Sequence, residues 1–437
     1  MTSKGHAVRS IFYGWWIVAG SFVILFIAVG VGLYAPPVFL VPLQEHFGWS
    51  RAAIATGGAI AAVVSGMVSP LVGAWNDKYG SRTVMTVGAL VMGSAFTLLS
   101  AMTSLWHLYA LNGLAAVGIT CCAWIPIQTL IANWFTKKRG LAMGIALTGI
   151  GFGGLVMAPL TGVLIARLGW RLAFAGLGAL ILMSATVVLA IVRSRPADMG
   201  LLPDGAVAAA PGTRGAADAA ALDAGVDLGQ AVRTGAFWIL AATHFLWTFA
   251  SFSILGHLVA HLRDVGFAGS VAAGALGLTV GASVAGRVVI GYYADSANKR
   301  AVMSTALAFS GLSVALLLSI QSAGALPLFV VAYGLGLGGI VVLFPLLVGE
   351  CFGLLAFGKI LGLIMIAATM GGAAGPVLTG RIYDVTGSYR LAFALHVGVF
   401  IAAALVINFL PRSPSGSRTA SRSSGARHNT PTLPNRC

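Results

Sequence analysis

Apolar runs long enough to cross a bilayer recur from end to end of this 437-residue chain, and only 8% of its residues are charged. A soluble domain carries about 25%. A spanning helix needs about 20 mostly apolar residues. Twelve segments reach that length, near 14–40, 52–75, 83–101, 105–132, 141–166, 170–192, 237–261, 268–292, 301–320, 325–349, 360–382 and 390–411. Strands of a membrane β-barrel would be shorter, about 10 residues of alternating polarity. The sequence therefore predicts an all-α polytopic membrane protein whose first partner is the lipid bilayer.

Cations decide the orientation. The net charge is +15, but it is not the footprint of a nucleic-acid binder. Lys78 and Arg82, then Lys137, Lys138 and Arg139, then Arg193 and Arg195, then Lys299 and Arg300 fall in alternate loops. A Ser-rich tail adds Arg412, Arg418, Arg422, Arg427 and Arg436. Basic loops stay in the cytoplasm. This pattern places both termini there and makes the protein a multi-pass resident of the cytoplasmic (inner) membrane. Trp15 and Trp16 read as interfacial anchors. The adjacent Cys121 and Cys122 read as core thiols, not as a disulfide or metal framework.

One long polar gap divides the spans. It is rich in Ala, Gly, Pro and Asp and reads as a linker. The expected organisation is a cytoplasmic N-terminus (1–13), a six-helix bundle (14–192), a cytoplasmic linker (193–234), a second six-helix bundle (235–411) and a basic tail (412–437). Internal repetition supports the division. "GAWNDKYGSR" (73–82) matches "GYYADSANKR" (291–300), "WRLAFA" matches "YRLAFA", and "APLTG" resembles "GPVLTG", at offsets of 218, 219 and 217 residues. Six spans return the chain to its starting side, so the halves are parallel repeats. The Gly80 of the first copy becomes Asn298 in the second, the other residue that tolerates a left-handed backbone.

These features resemble the major facilitator superfamily. "GAWNDKYGSR" is similar to its signature loop after the second span. "NWFTKKRGLAMGIA", "HLVAHLRDVG" and "GPVLTGRIYDVTGSYRLAF" resemble the branch of monocarboxylate transporters and oxalate:formate antiporters. The resemblance implies a transporter rather than an enzyme, working as a monomer without cofactor or metal. It also implies that Gly73, Asp77, Lys78, Gly80 and Arg82, with Gly291, Asp295, Lys299 and Arg300, tie neighbouring helices in one of two rocking states. Simple topogenic charge is the alternative.

The residue that needs explaining is Arg287, in the middle of an apolar span in "GASVAGRVVIGYYAD". A charge at bilayer depth costs about 2.5–3.5 kcal/mol on insertion scales and marks a solute path by default. The repeat puts Ser69 at the equivalent place, so the shared architecture does not require an arginine. No Asp or Glu lies within a turn, and an exchangeable carboxylate suits a planar guanidinium. A structural arginine bonded to carbonyls is the alternative. In monocarboxylate transporters an arginine of the eighth span engages the substrate carboxylate, and their animal members carry an Asp one turn earlier. Here that place is Ser283, a hydroxyl for the solute or a small packing residue. The lysine that oxalate:formate relatives carry in the eleventh span has no counterpart. One cation matches one carboxylate.

His257 resembles a histidine of bacterial monocarboxylate transporters and is the candidate for binding solute and carrying the coupled proton. His261 gives it no metal site, because a third ligand is missing. His107, His244 and His396 read as packing. Tyr34, Tyr333 and Thr369 fall in spans that line the central path in relatives. The expectation is a secondary active transporter of a small organic monocarboxylate, driven by proton symport. An anion exchanger of the oxalate:formate type and a membrane sensor without transport are the alternatives.

Overall fold

The computed structural model describes residues 12–49, 51–205, 225–267, 269–318 and 325–411. The tail arginines and the centre of the expected linker lie outside them. Among the described residues eleven helices are long and apolar enough to span a membrane. One of them, Arg139–Ile191, has 53 residues and is two spans in one run. It breaks at Gly169, whose φ of 78° and ψ of 164° lie in a region open essentially to glycine.

The spans in order are Gly14–Phe39, Thr56–Tyr79, Ser81–Leu99, Leu105–Trp134, 139–168, 170–191, Gly235–Asp264, Gly274–Ala294, Lys299–Leu318, Ala325–Phe352, Phe357–Thr386 and Arg390–Phe409. The first is irregular. Its α-helix ends at Val29, Gly30–Tyr34 form a wider π-turn, and Pro36–Phe39 tighten to a 3-10 turn. Pro36 and Pro37 supply no N–H to the carbonyls four residues earlier, so the ladder must change pitch there. Tyr34 sits at this break.

Lipid tails are as apolar as leucine, so helices associate by close packing of small residues. The halves obey this in pseudo-symmetric detail. Any Cβ on Gly73 would stand 2.1 Å from the carbonyl of Gly358, and one on Gly291 would stand 2.4 Å from that of Gly140. A Cβ on Gly362 would meet the Ser69 carbonyl at 2.6 Å, and one on Gly144 the Arg287 carbonyl at 2.4 Å. Each contact maps onto its partner by the 218-residue offset. The second span thus packs on the eleventh and the fifth on the eighth, at the end of the molecule where Gly14 begins the first span. Ser69 is confirmed as the structural counterpart of Arg287.

The turn after the repeated motif departs from its reading in the sequence. Gly80 has φ 80°, but Asn298 is absent from the left-handed residues. It acts as a cap: Oδ1 accepts from the N–H of Arg300 (3.1 Å) and of Ala301 (3.4 Å). The first half uses a glycine's freedom and the second a side-chain acceptor to start the next helix.

Candidate functional site

At the packed face each motif carboxylate reaches across to the opposite half. Asp77 accepts from the N–H groups of Gly358 (3.1 Å) and Lys359 (3.0 Å), at the start of the eleventh span. Asp295 accepts from Gly140 (2.5 Å) and Leu141 (3.0 Å), at the start of the fifth. The first turn of a helix has unpaired N–H groups and a positive dipole end, and a carboxylate satisfies both. The motif arginines stay within their own half. Arg82 donates to the Leu189 carbonyl (2.7 Å), and Arg300 donates to those of Asn408 (3.3 Å) and Leu410 (2.8 Å). They close the ends of the sixth and twelfth spans. Lys78 lies over the Tyr79 ring, whereas Lys299 pairs with Glu350 at 3.3 Å.

Two expectations follow for this face. Asp77→Ala with Asp295→Ala leaves four helix-end N–H groups without their carboxylates. Each buried orphan costs about 1–3 kcal/mol, so this face should open, measured as solvent access to single cysteines placed near it. Acidity acts the other way. Burial raises the Asp295 carboxyl against the bonds from Leu141 and Gly140 that lower it. A raised value means the docked arrangement binds the proton more tightly than an undocked, solvated one. Docking is therefore favoured as pH falls and weakened as it rises through that value. Asp295→Asn, which keeps an acceptor and sheds the charge, should remain docked and lose this dependence.

Arg287 lies one helical turn deeper than Gly291. It is 6% exposed, and its Nη1 donates to the Leu147 carbonyl of the fifth span at 2.8 Å. Nη1 is also the guanidinium atom nearest Gly151, 3.6 Å from where a Cβ there would stand. Tyr34 of the first span lies against the same helix one turn on, its ring 2.9 Å from where a Cβ on Gly154 would stand. Nε has no hydrogen-bond partner, and among the described residues no carboxylate pairs with the guanidinium. The charge of one half therefore points into the other, toward the break in the first span.

The other expected residues do not share one place. Tyr34 and Arg287 are brought together. Thr369 faces Gly66 across the interface of the second and eleventh spans, its hydroxyl donating to the Met365 carbonyl at 3.0 Å. Ser283 is fully buried. Its hydroxyl donates to the Val280 carbonyl (2.6 Å), and its own carbonyl would lie 2.0 Å from a Cβ on Gly338. Tyr333 is fully buried between Phe329 and Phe400 in the second half. His257 contacts the Tyr389 hydroxyl (3.2 Å) and the Pro376 carbonyl (3.0 Å). His244 packs on Phe344, and His396 bonds Thr379 at 2.8 Å. Among the described residues no group of His, Cys, Asp and Glu could hold a metal ion.

Three contributors escaped the reading of the sequence. The glycine pairs Gly140/Gly144 and Gly358/Gly362 repeat at the same 218-residue offset, a signal present in "GLAMG" and "GKILG". Glu350, the partner of Lys299, is a lone acid ending an apolar span. Asp204 accepts from the N–H groups of Thr136 (2.9 Å) and Lys137 (2.7 Å) and from the Thr136 hydroxyl, so this end of the linker is docked, not free. "PDG" is a turn signal, but its target 68 residues away is invisible in it.

The family profile described as Major Facilitator Superfamily matches residues 20–350 and 281–434. The chain is 30% identical to monocarboxylate transporter 11 of Homo sapiens over 414 residues, 92% of this chain and 83% of that protein. It is 26% identical to the oxalate:formate antiporter of Oxalobacter formigenes, covering 87% of each. Its fold matches the crystal structure of a human organic anion transporter with a TM-score of 0.71 at 17% identity, covering 90% of this chain and 99% of that one. The chain belongs to the Major Facilitator Superfamily, as a multi-pass secondary transporter of its monocarboxylate transporter family.

Proposed function

We propose that the protein moves a small organic monocarboxylate across the cytoplasmic membrane with a proton, by alternating access between the bundles 14–192 and 235–411. Both termini, the linker 193–234 and the tail 412–437 are then cytoplasmic, and a single copy suffices. The docked face is the cytoplasmic one, so this arrangement opens outward. Gly73, Asp77, Lys78, Gly80 and Arg82, with Gly291, Asp295, Lys299 and Arg300, hold it closed.

One observation supports the cargo: the guanidinium of Arg287 is buried between the halves with no carboxylate paired to it among the described residues. A solute carboxylate completes it, with Tyr34 beside it and Ser283 one turn away on the same span. The test is uptake of labelled lactate, pyruvate, acetate and a dicarboxylate by wild type and an Arg287 variant.

His257 carries the coupled proton in this reading. His257→Gln should abolish the gain in uptake produced by an inward proton gradient while leaving counterflow at equal pH within about twofold. Likeness to the oxalate:formate antiporter favours a second reading, anion exchange. Vigorous counterflow in wild-type proteoliposomes with no response to a proton gradient would select it.

A further inference from the structure

The environment of His257 assigns its protons. The Pro376 carbonyl at 3.0 Å from Nε2 can only accept, so Nε2 carries hydrogen. In the neutral ring Nδ1 is then bare, and the group 3.2 Å from it is the Tyr389 hydroxyl, which can donate. Only that hydroxyl can adjust, because the phenol ring is stacked on Tyr383 at 4.3 Å and on Phe393 at 5.7 Å. His261 meets its edge at 6.0 Å.

The other half shows what the fold alone requires. By the match of "WRLAFA" to "YRLAFA", Tyr389 and Phe393 correspond to Trp170 and Phe174. There Phe39 stacks on Phe174 at 3.6 Å, and Trp170 meets Phe174 edge-on at 6.3 Å. Trp170 also meets the His46 ring edge-on at 5.3 Å, but it offers no hydroxyl to it. The second half sets a phenol hydroxyl against an imidazole nitrogen instead.

We propose that Tyr389 is a positioning residue that holds neutral His257 as its Nε2–H tautomer, so that the transported proton is taken up at Nδ1. This rests on the reading of His257 as the proton carrier. When a hydronium ion delivers its proton to Nδ1 and leaves as water, Tyr389 must turn its O–H away and offer a lone pair. The titratable groups around the pair are His261 and Asp264 on the seventh span, Tyr383 and Asp384 on the eleventh, and His396 on the twelfth.

Tyr389→Phe removes the donor to Nδ1 and keeps the stacked ring. Proton-driven uptake by this variant should persist to higher pH, with its midpoint moved by about 0.5–1 unit, roughly 3- to 10-fold in proton concentration, as one net hydrogen bond gives. Counterflow at equal pH should be unchanged. In wild-type protein labelled with nitrogen-15 histidine, the signal lost in His257→Gln should show a protonated Nε2 and a bare Nδ1 above the transition. A protonated Nδ1 in that neutral signal overturns the proposal, whether or not Tyr389→Phe folds. An unmoved Tyr389→Phe midpoint beside a shifted His257→Gln profile overturns it as well. If His257→Gln leaves the profile in place, the proton-carrier reading falls instead, and the nitrogen spectrum still decides the positioning.

Discussion

Uptake of a labelled monocarboxylate is expected to fall by about 10- to 150-fold when Arg287 becomes glutamine, the range that one hydrogen bond to a charged group spans. Glutamine keeps a polar end without the charge, but it stops two bonds short of Nη1, so the bond to the Leu147 carbonyl goes with the charge. Protein yield and helix content should stay at wild-type levels. Arg287→Lys restores a positive charge without the planar fork and should recover only part of the rate. Cargo length should matter little to this loss, because the carboxylate is common to lactate, pyruvate and acetate. Equal uptake by wild type and Arg287→Gln would remove the proposed site and leave the family and fold standing.

Gly144→Leu combined with Gly362→Leu should have the second large effect, on conformation and not on binding. A Cβ at Gly144 would stand 2.4 Å from the Arg287 carbonyl, and one at Gly362 would stand 2.6 Å from that of Ser69. Backbone is on the other side of both contacts, so nothing flexible can give way. Overpacking costs about 1–3 kcal/mol at each site, enough to shift the docked population by roughly 5- to 150-fold per site. Spin labels at the exposed positions Lys137 and Ser296, across the fifth and eighth spans, should separate in the double variant. An unchanged distance distribution would mean that the spans need not part here during transport.

The fold was legible because its two determinants are local. Apolar runs of bilayer length announce helices, and the repeat at one constant offset announces the two halves. Where two spans run together, Gly169 was readable as the break, since they abut at "RLGWRL". Asn298 was read for the wrong reason: its side chain, not a left-handed backbone, starts the following helix. At the site, Arg287 stood out as a lone charge in an apolar span. Its contacts did not, because Leu147 and Tyr34 belong to the other half and no periodicity relates them to residue 287. Asp204 shows the same limit: a turn can be seen in "PDG", but not the loop that it grips.

The reciprocal docking of Asp77 and Asp295 has a mechanical corollary. Each bundle offers one latch and one catch, so a rigid rotation that frees either corner strains the opposite one. The door at the docked face is thus duplicated yet behaves as a single bolt. Weakening one copy adjusts how long the door stays shut, without touching the surroundings of Arg287.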